Sequence, residues 1–171
     1  LPTEISRAVM LLRINNLAKG FSGIRMETLE TLIAMLNKGV SPIIPEKGSL
    51  GASGDLAPLS HMVLPMIGLG EAEFEGKVYP GAKAMELAGI PIIELTEKEG
   101  LALINGTQVM TAVGAMTMVD TINLVKISDI AAALSFEAQR GVIDALQPRM
   151  HTCRPHLGQI DSARIISHLL E

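Results

Sequence analysis

The chain has 171 residues, 48% of them hydrophobic but only 2% aromatic, with ten methionines and a formal charge of −4. That length supports one domain, and the composition asks for an aliphatic, Met-rich core of packed helices. No basic patch argues for nucleic acid, and a single cysteine, Cys153, excludes an intrachain disulfide and gives no sign of an oxidising compartment, so a cytoplasmic location is expected.

The chain opens on Leu1-Pro2-Thr3-Glu4, with neither the basic region nor the apolar core of a signal peptide. It does not begin with Met and it ends within a helical pattern, so both ends read as cut from a longer polypeptide. Residues 3–19 predict a helix with Thr3 as its cap and Ile5, Val9, Leu12 and Asn16 along one face. Gly20 and Ser22-Gly23 stop it. Residues 26–37 predict a second helix, with Leu29, Leu32, Ile33 and Leu36 on one stripe and Gly39 beyond its end. Two antiparallel helices with a short connection follow.

Residues 40–49 are irregular, broken by Pro42, Pro45 and Gly48. They deliver the chain to Gly51-Ala52-Ser53-Gly54-Asp55, three small residues between a glycine and a carboxylate. Two readings are open. In one, this is a tight turn into a helix over residues 56–69, capped by Asp55 and interrupted at Pro65. In the other, the backbone is the reagent. The amide nitrogen of Gly54 attacks the carbonyl carbon of Ala52 and closes a five-membered ring, expelling that carbonyl oxygen as water, and the Ser53 hydroxyl leaves as a second water. The product is a methylidene-imidazolone (MIO), an electrophile that no ordinary side chain provides. Gly54 has no Cβ to block closure, Ser53 carries the leaving hydroxyl, and Ala52 is small. With Asp55 as helix cap, Ser53 and Gly54 would stand beside the positive helix end, where developing negative charge is stabilised. His61 lies in the same segment, as a buried hydrogen-bonded histidine or as a support near the ring.

Residues 71–81 alternate around Glu75-Gly76 and predict a small exposed hairpin. Residues 82–88 predict a short helix. Thr96 to Glu99 carries a capping-box signature for a helix through Ile104. Asn105-Gly106 then interrupts the chain, and Asn105 is a polar amide in an oily stretch, a cap residue or a functional one. The uncharged run 100–119 has about the length of a membrane span, but its polar centre argues for two buried helices. Residues 109–125 are apolar nearly all round and predict a helix that is buried or lies between subunits. Ser128 or Asp129 caps a further helix to Arg140, and residues 159–170 form the last one. His151, His156 and His168 lack metal-ligand spacing, so no metal is expected. Ser53 fails the spacing of a hydrolase elbow, and there is no phosphate-binding glycine loop.

Four motifs in order, LAKGFSG at 17–23, GSLGASGDLAPLSH at 48–61, INGTQ at 104–108 and RPHLGQ at 154–159, closely resemble the aromatic amino acid ammonia-lyase family. The resemblance covers essentially the whole chain and is nearest to the members acting on histidine. It implies a mostly α fold, a helical array with long buried helices and one small β-hairpin, over a single domain 1–171. It implies elimination of ammonia from an aromatic L-amino acid, L-histidine to trans-urocanate in the nearest members. Ala52, Ser53 and Gly54 would form MIO with no external cofactor, Asn105 would hydrogen-bond the electrophile's carbonyl oxygen, and Asp55 and Gln108 would support them.

Full-length members are several times longer and are homotetramers whose sites combine segments of different subunits. The tyrosine loop that supplies the base lies upstream of this stretch, and further tyrosine, arginine and glutamate motifs lie downstream. Tyr79 is the only tyrosine here and matches neither. The isolated chain is therefore expected to be inactive and to self-associate, without nucleic acid or membrane partners. Two alternatives stand beside this reading: a phenylalanine or tyrosine ammonia-lyase or aminomutase, and a noncatalytic helical assembly module with an uncyclised Ala-Ser-Gly turn.

Overall fold

The structure is a computed structural model and describes residues 1–51 and 53–171. Helix α1, Thr3–Leu17, turns its Val9, Met10 and Leu17 inward. Thr3 does not cap it. Pro2, in an extended conformation, takes the flanking position, and the Thr3 hydroxyl donates instead to Glu73 Oε2 at 2.8 Å. Helix α2, Met26–Lys38, buries Leu29, Leu32 and Met35 and ends on Gly39 at φ 78°. That left-handed residue lets the Val40 N–H reach back to the Met35 carbonyl at 2.9 Å.

Three short strands form an antiparallel sheet in the order β1 (Ser41–Pro42), β2 (Glu71–Phe74), β3 (Lys77–Pro80). β2 and β3 are the expected hairpin, with Ala72 opposite Tyr79. Its turn, Glu75-Gly76, has φ of 51° and 76°, the positive pair that a two-residue hairpin needs. β1 is the strand that two residues of alternation could not announce.

Helix α3, Leu56–Val63, passes into a 3-10 turn, Leu64–Ile67, at Pro65, which cannot donate to the α ladder. Helix α4 is Gly81–Leu87 and α5 is Glu99–Ile104. Helix α6, Gln108–Ala138, is continuous. The break expected at Ser128 or Asp129 is absent, because no proline or glycine stands there and Asp129 packs as a buried helical residue. Of the two readings of 109–125, buried or between subunits, burial within the chain holds only at its beginning: Val109 and Ala112 are buried, whereas Met118, Val119, Ile122, Leu124 and Val125 are exposed. Helices α7 (Pro148–Thr152) and α8 (Leu157–Leu169) close the chain.

The sequence reads as one domain; in the structure two compact units separate, Leu1–Met116 and Thr117–Glu171. The first holds an aliphatic core in which Met10, Met35, Met62, Met66 and Met85 are fully buried beside Leu32, Leu59 and Leu103. Each such side chain contributes roughly 1.5–3 kcal/mol by leaving water. The second is the helical run from Thr117 onward, with α7 and α8 packed together.

Candidate active site

Two interruptions of regular structure meet in the first unit: the loop before α3 and the turn between α5 and α6. The first is released by glycines, with Gly51 at φ 72° and Gly54 at φ 89°. Ala52 lies outside the described residues. Ser53 is exposed and Gly54 partly buried. A Cβ built on Gly54 would lie 2.6 Å from the oxygen, 2.9 Å from the nitrogen and 3.1 Å from the carbonyl carbon of Gly106. Only glycine permits that approach of one peptide to another. The adjoining N–H of Asp55 donates to the Gly106 carbonyl at 2.6 Å. The fold therefore brings Gly54 and Asp55 of the first motif against Gly106 of the Ile-Asn-Gly-Thr-Gln segment at the backbone, and position 54 has no room for a side chain.

Asp55 is completely buried. It occupies the position before α3 but makes no side-chain bond to that helix, contrary to the expected cap. Its carboxylate faces elsewhere. Oδ1 accepts the Ser49 hydroxyl at 2.5 Å and Oδ2 accepts the Met110 N–H at 2.9 Å. Met110 is the third residue of α6, one of the amides that a helix start leaves unpaired. Asp55 thus caps α6 across the chain, because the Gly106 contact has already carried its backbone there.

Asn105 ends α5 with extended φ and ψ, −91° and 110°, and its N–H reaches the Leu101 carbonyl at 3.0 Å. Its side chain is exposed and lines an open hollow of about 420 Å³ together with Leu101, Lys98, Phe21 and Arg13. A larger hollow, about 560 Å³, is lined, among the described residues, only by residues of the second unit and by none of either motif. Gln108 opens α6, and its Oε1 accepts Arg13 Nη1 at 3.0 Å. His61 is exposed on α3, not the buried histidine the sequence suggests.

The start of α5 is anchored by a carboxylate. Glu99 is 1% exposed. It accepts the Arg25 N–H, Nε and Nη2, the Thr28 hydroxyl at 2.7 Å and the Thr96 N–H at 2.9 Å. The Thr96 bond is half of the predicted capping box. The other half is missing because Lys98, at φ 71°, takes the cap position. The Arg25 side chain, aided by the Thr96, Arg25 and Thr28 donors, holds the Glu99 carboxyl well below the usual carboxylate range against the opposing effect of burial. Burial lowers the Arg13 guanidinium from its ordinary value. Arg13 and Arg25 escaped the sequence reading; the one available signal was a lone basic residue in the apolar run Leu11-Leu12-Arg13-Ile14.

The family described as aromatic amino acid lyase matches residues 1–171. The histidine ammonia-lyase of Alkaliphilus oremlandii (strain OhILAs) is 66% identical over 171 residues, all of this chain and 34% of that relative. A crystal structure of histidine ammonia-lyase from Trypanosoma cruzi superposes with a TM-score of 0.90 at 41% identity, covering 97% of this chain and 32% of that one. The phenylalanine aminomutase of Pantoea agglomerans does so with a TM-score of 0.89 at 40% identity, covering 96% and 31%. The chain spans about a third of the length of the curated relatives it matches.

Proposed function

The chain belongs to the aromatic amino acid lyase family, and on that premise we propose that it is the electrophile-bearing part of an ammonia-lyase that converts L-histidine to trans-urocanate. The observation that carries this is the seating of Gly54 against the Gly106 peptide, which joins the two motifs at their backbones. Ala52, Ser53 and Gly54 are the residues that would become MIO. When formed, that ring supplies an electrophile that bonds the substrate through its amine or its aromatic ring, making ammonia a better leaving group or the β-hydrogen more acidic.

The chain's own residues do the rest of what is assigned here. Gly54 offers an amide nitrogen with no side chain beside it. Asp55 holds Met110 and Ser49, and so fixes the distance between the loop and the start of α6. Asn105, one residue from the Gly106 contact, is assigned the ring's carbonyl oxygen, and Gln108 supports that turn. The base and the group that binds the substrate carboxylate are assigned to other segments, because Tyr79 lies in the hairpin. The 171-residue chain alone is accordingly inactive. We further assign the complete enzyme to the cytoplasm and to a homotetramer, the latter supported by the exposed apolar positions of α6. By length and composition alone the stretch Glu99–Ala138 is also long enough to cross a membrane, but Asp120, Lys126, Asp129 and Glu137 punctuate it, and an interface between subunits is the better use of its apolar residues.

The test is turnover by the complete enzyme on L-histidine, L-phenylalanine and L-tyrosine, followed as release of ammonia and of the unsaturated acid. Urocanate from histidine, abolished by Ser53→Ala in a folded protein, is expected. A β-amino acid product would favour the aminomutase reading, which the Pantoea agglomerans likeness keeps in view. Full activity in Ser53→Ala would overturn the role of residues 52–54.

A further inference from the structure

Arg13 is the buried charge that this chemistry leaves unused. It sits on α1 at 2% exposure. Among the described residues no carboxylate pairs with it, and its Nε finds no partner. An uncompensated buried cation is costly to a fold. What it does have is two acceptors that stand on either side of one interruption. Nη2 donates to the Ala102 carbonyl in α5, and Nη1 to Gln108 Oε1 in the first turn of α6. Asn105 and Gly106 lie between them. A side chain on Gly106 would collide with both Arg13 Nη1 and Gln108 Oε1, so guanidinium and amide rest directly on this turn. The same Gly106 peptide meets Gly54 and accepts the Asp55 N–H.

We propose that Arg13 is a positioning residue: its guanidinium ties α5 to α6 across the Asn105-Gly106 turn and so keeps that peptide seated against Gly54. This rests on residues 52–54 being the ring precursor. Helix α5 has only six residues, too few to hold its own end in place. The planar fork of arginine reaches two acceptors at once, which the point charge of lysine does not. Arg13 acts through Asn105 and Gly106 and is given no contact with substrate.

The experiment compares Arg13→Met, Arg13→Lys and Gln108→Leu in the complete enzyme. It reads the mass of the peptide containing residues 51–55, the thermal unfolding midpoint, and kcat and KM per ring-bearing molecule. In folded Arg13→Met the ring-bearing fraction falls. The kcat of the remainder drops by roughly 10- to 100-fold, as expected when a reacting group is misplaced by about an ångström, while KM stays within about twofold. Arg13→Lys recovers part of both, and Gln108→Leu shows the same pattern at smaller amplitude. A folded Arg13→Met with wild-type ring content and kcat overturns the proposal. If that variant does not fold, wild-type values in Gln108→Leu overturn it. An unmodified peptide in the wild type would sink the ring reading itself, and this proposal with it; a modified wild type with an unaffected Arg13→Met sinks this proposal alone.

Discussion

Gly54→Ala perturbs the contact between the two motifs directly. The backbone there sits at φ 89°, where an L side chain costs about 1–2 kcal/mol. The new Cβ would also fall 2.6 Å from the Gly106 oxygen and 2.9 Å from its nitrogen. Those are main-chain atoms held by the Asp55 bond, so they cannot swing away as a side-chain tip would; forcing them apart adds roughly 1–3 kcal/mol. A total near 3 kcal/mol corresponds to a fall of roughly 6–12 °C in the unfolding midpoint of a chain this size. Gly20→Ala is the control. It has φ 79° and nothing within 4 Å of the new Cβ, so it bears the dihedral cost alone, about 2–4 °C for each kcal/mol. Differential scanning calorimetry of both variants beside the wild type measures the difference. Equal shifts would refute the claim that Gly54 is pressed on Gly106. A mass readout adds to this, since the displaced peptide should also fail to cyclise.

Three other outcomes are expected. Asp55→Ala leaves the Met110 N–H and Ser49 hydroxyl without their acceptor and costs about 2–3 kcal/mol in chemical denaturation; a loss below about 0.5 kcal/mol would contradict the cross-chain cap. Glu99 has a folded carboxyl pKa below its unfolded value, so its contribution is complete above the ordinary value of 4.5 and fades as pH falls from there toward the folded value. Glu99→Gln should therefore destabilise the protein by about 1–3 kcal/mol at neutral pH, with the gap to wild type narrowing below pH 4.5 in melts taken across an acid series; a gap independent of pH would count against the Arg25 clamp. Ile122→Glu with Val125→Glu, on adjacent exposed positions of α6, should shift the species seen by light scattering toward smaller assemblies, and an unchanged mass would remove α6 from the interface.

Much of this was legible because local signals and tertiary needs agree. The stripe of Leu29, Leu32 and Ile33 and the stop at Gly39 describe α2 almost to the residue, and Glu75-Gly76 announces its hairpin. Where the sequence misleads, a partner distant in the chain decides. Thr3 turns from its own helix to Glu73, and Asp55 from α3 to Met110. Nothing near position 55 encodes that choice; it depends on Gly106 having arrived 51 residues later (106 minus 55). Helix α6 runs through Ser128 and Asp129 because a polar residue is only a weak stop without proline or glycine. Arg13 was invisible for the same reason: its two acceptors lie 89 and 95 residues away.

On the proposed reading, residues 52–54 become an electrophile because the fold presses Gly106 on Gly54. The most direct measurement is the mass of the proteolytic peptide holding residues 51–55 from the complete, folded enzyme, with Ser53→Ala beside it. The wild type is expected to show a deficit of two waters, localised between Gly51 and Asp55, one from ring closure and one from the Ser53 hydroxyl, with no loss of the serine-derived water in Ser53→Ala. A wild-type peptide of full, unmodified mass in an enzyme that still releases ammonia would contradict it.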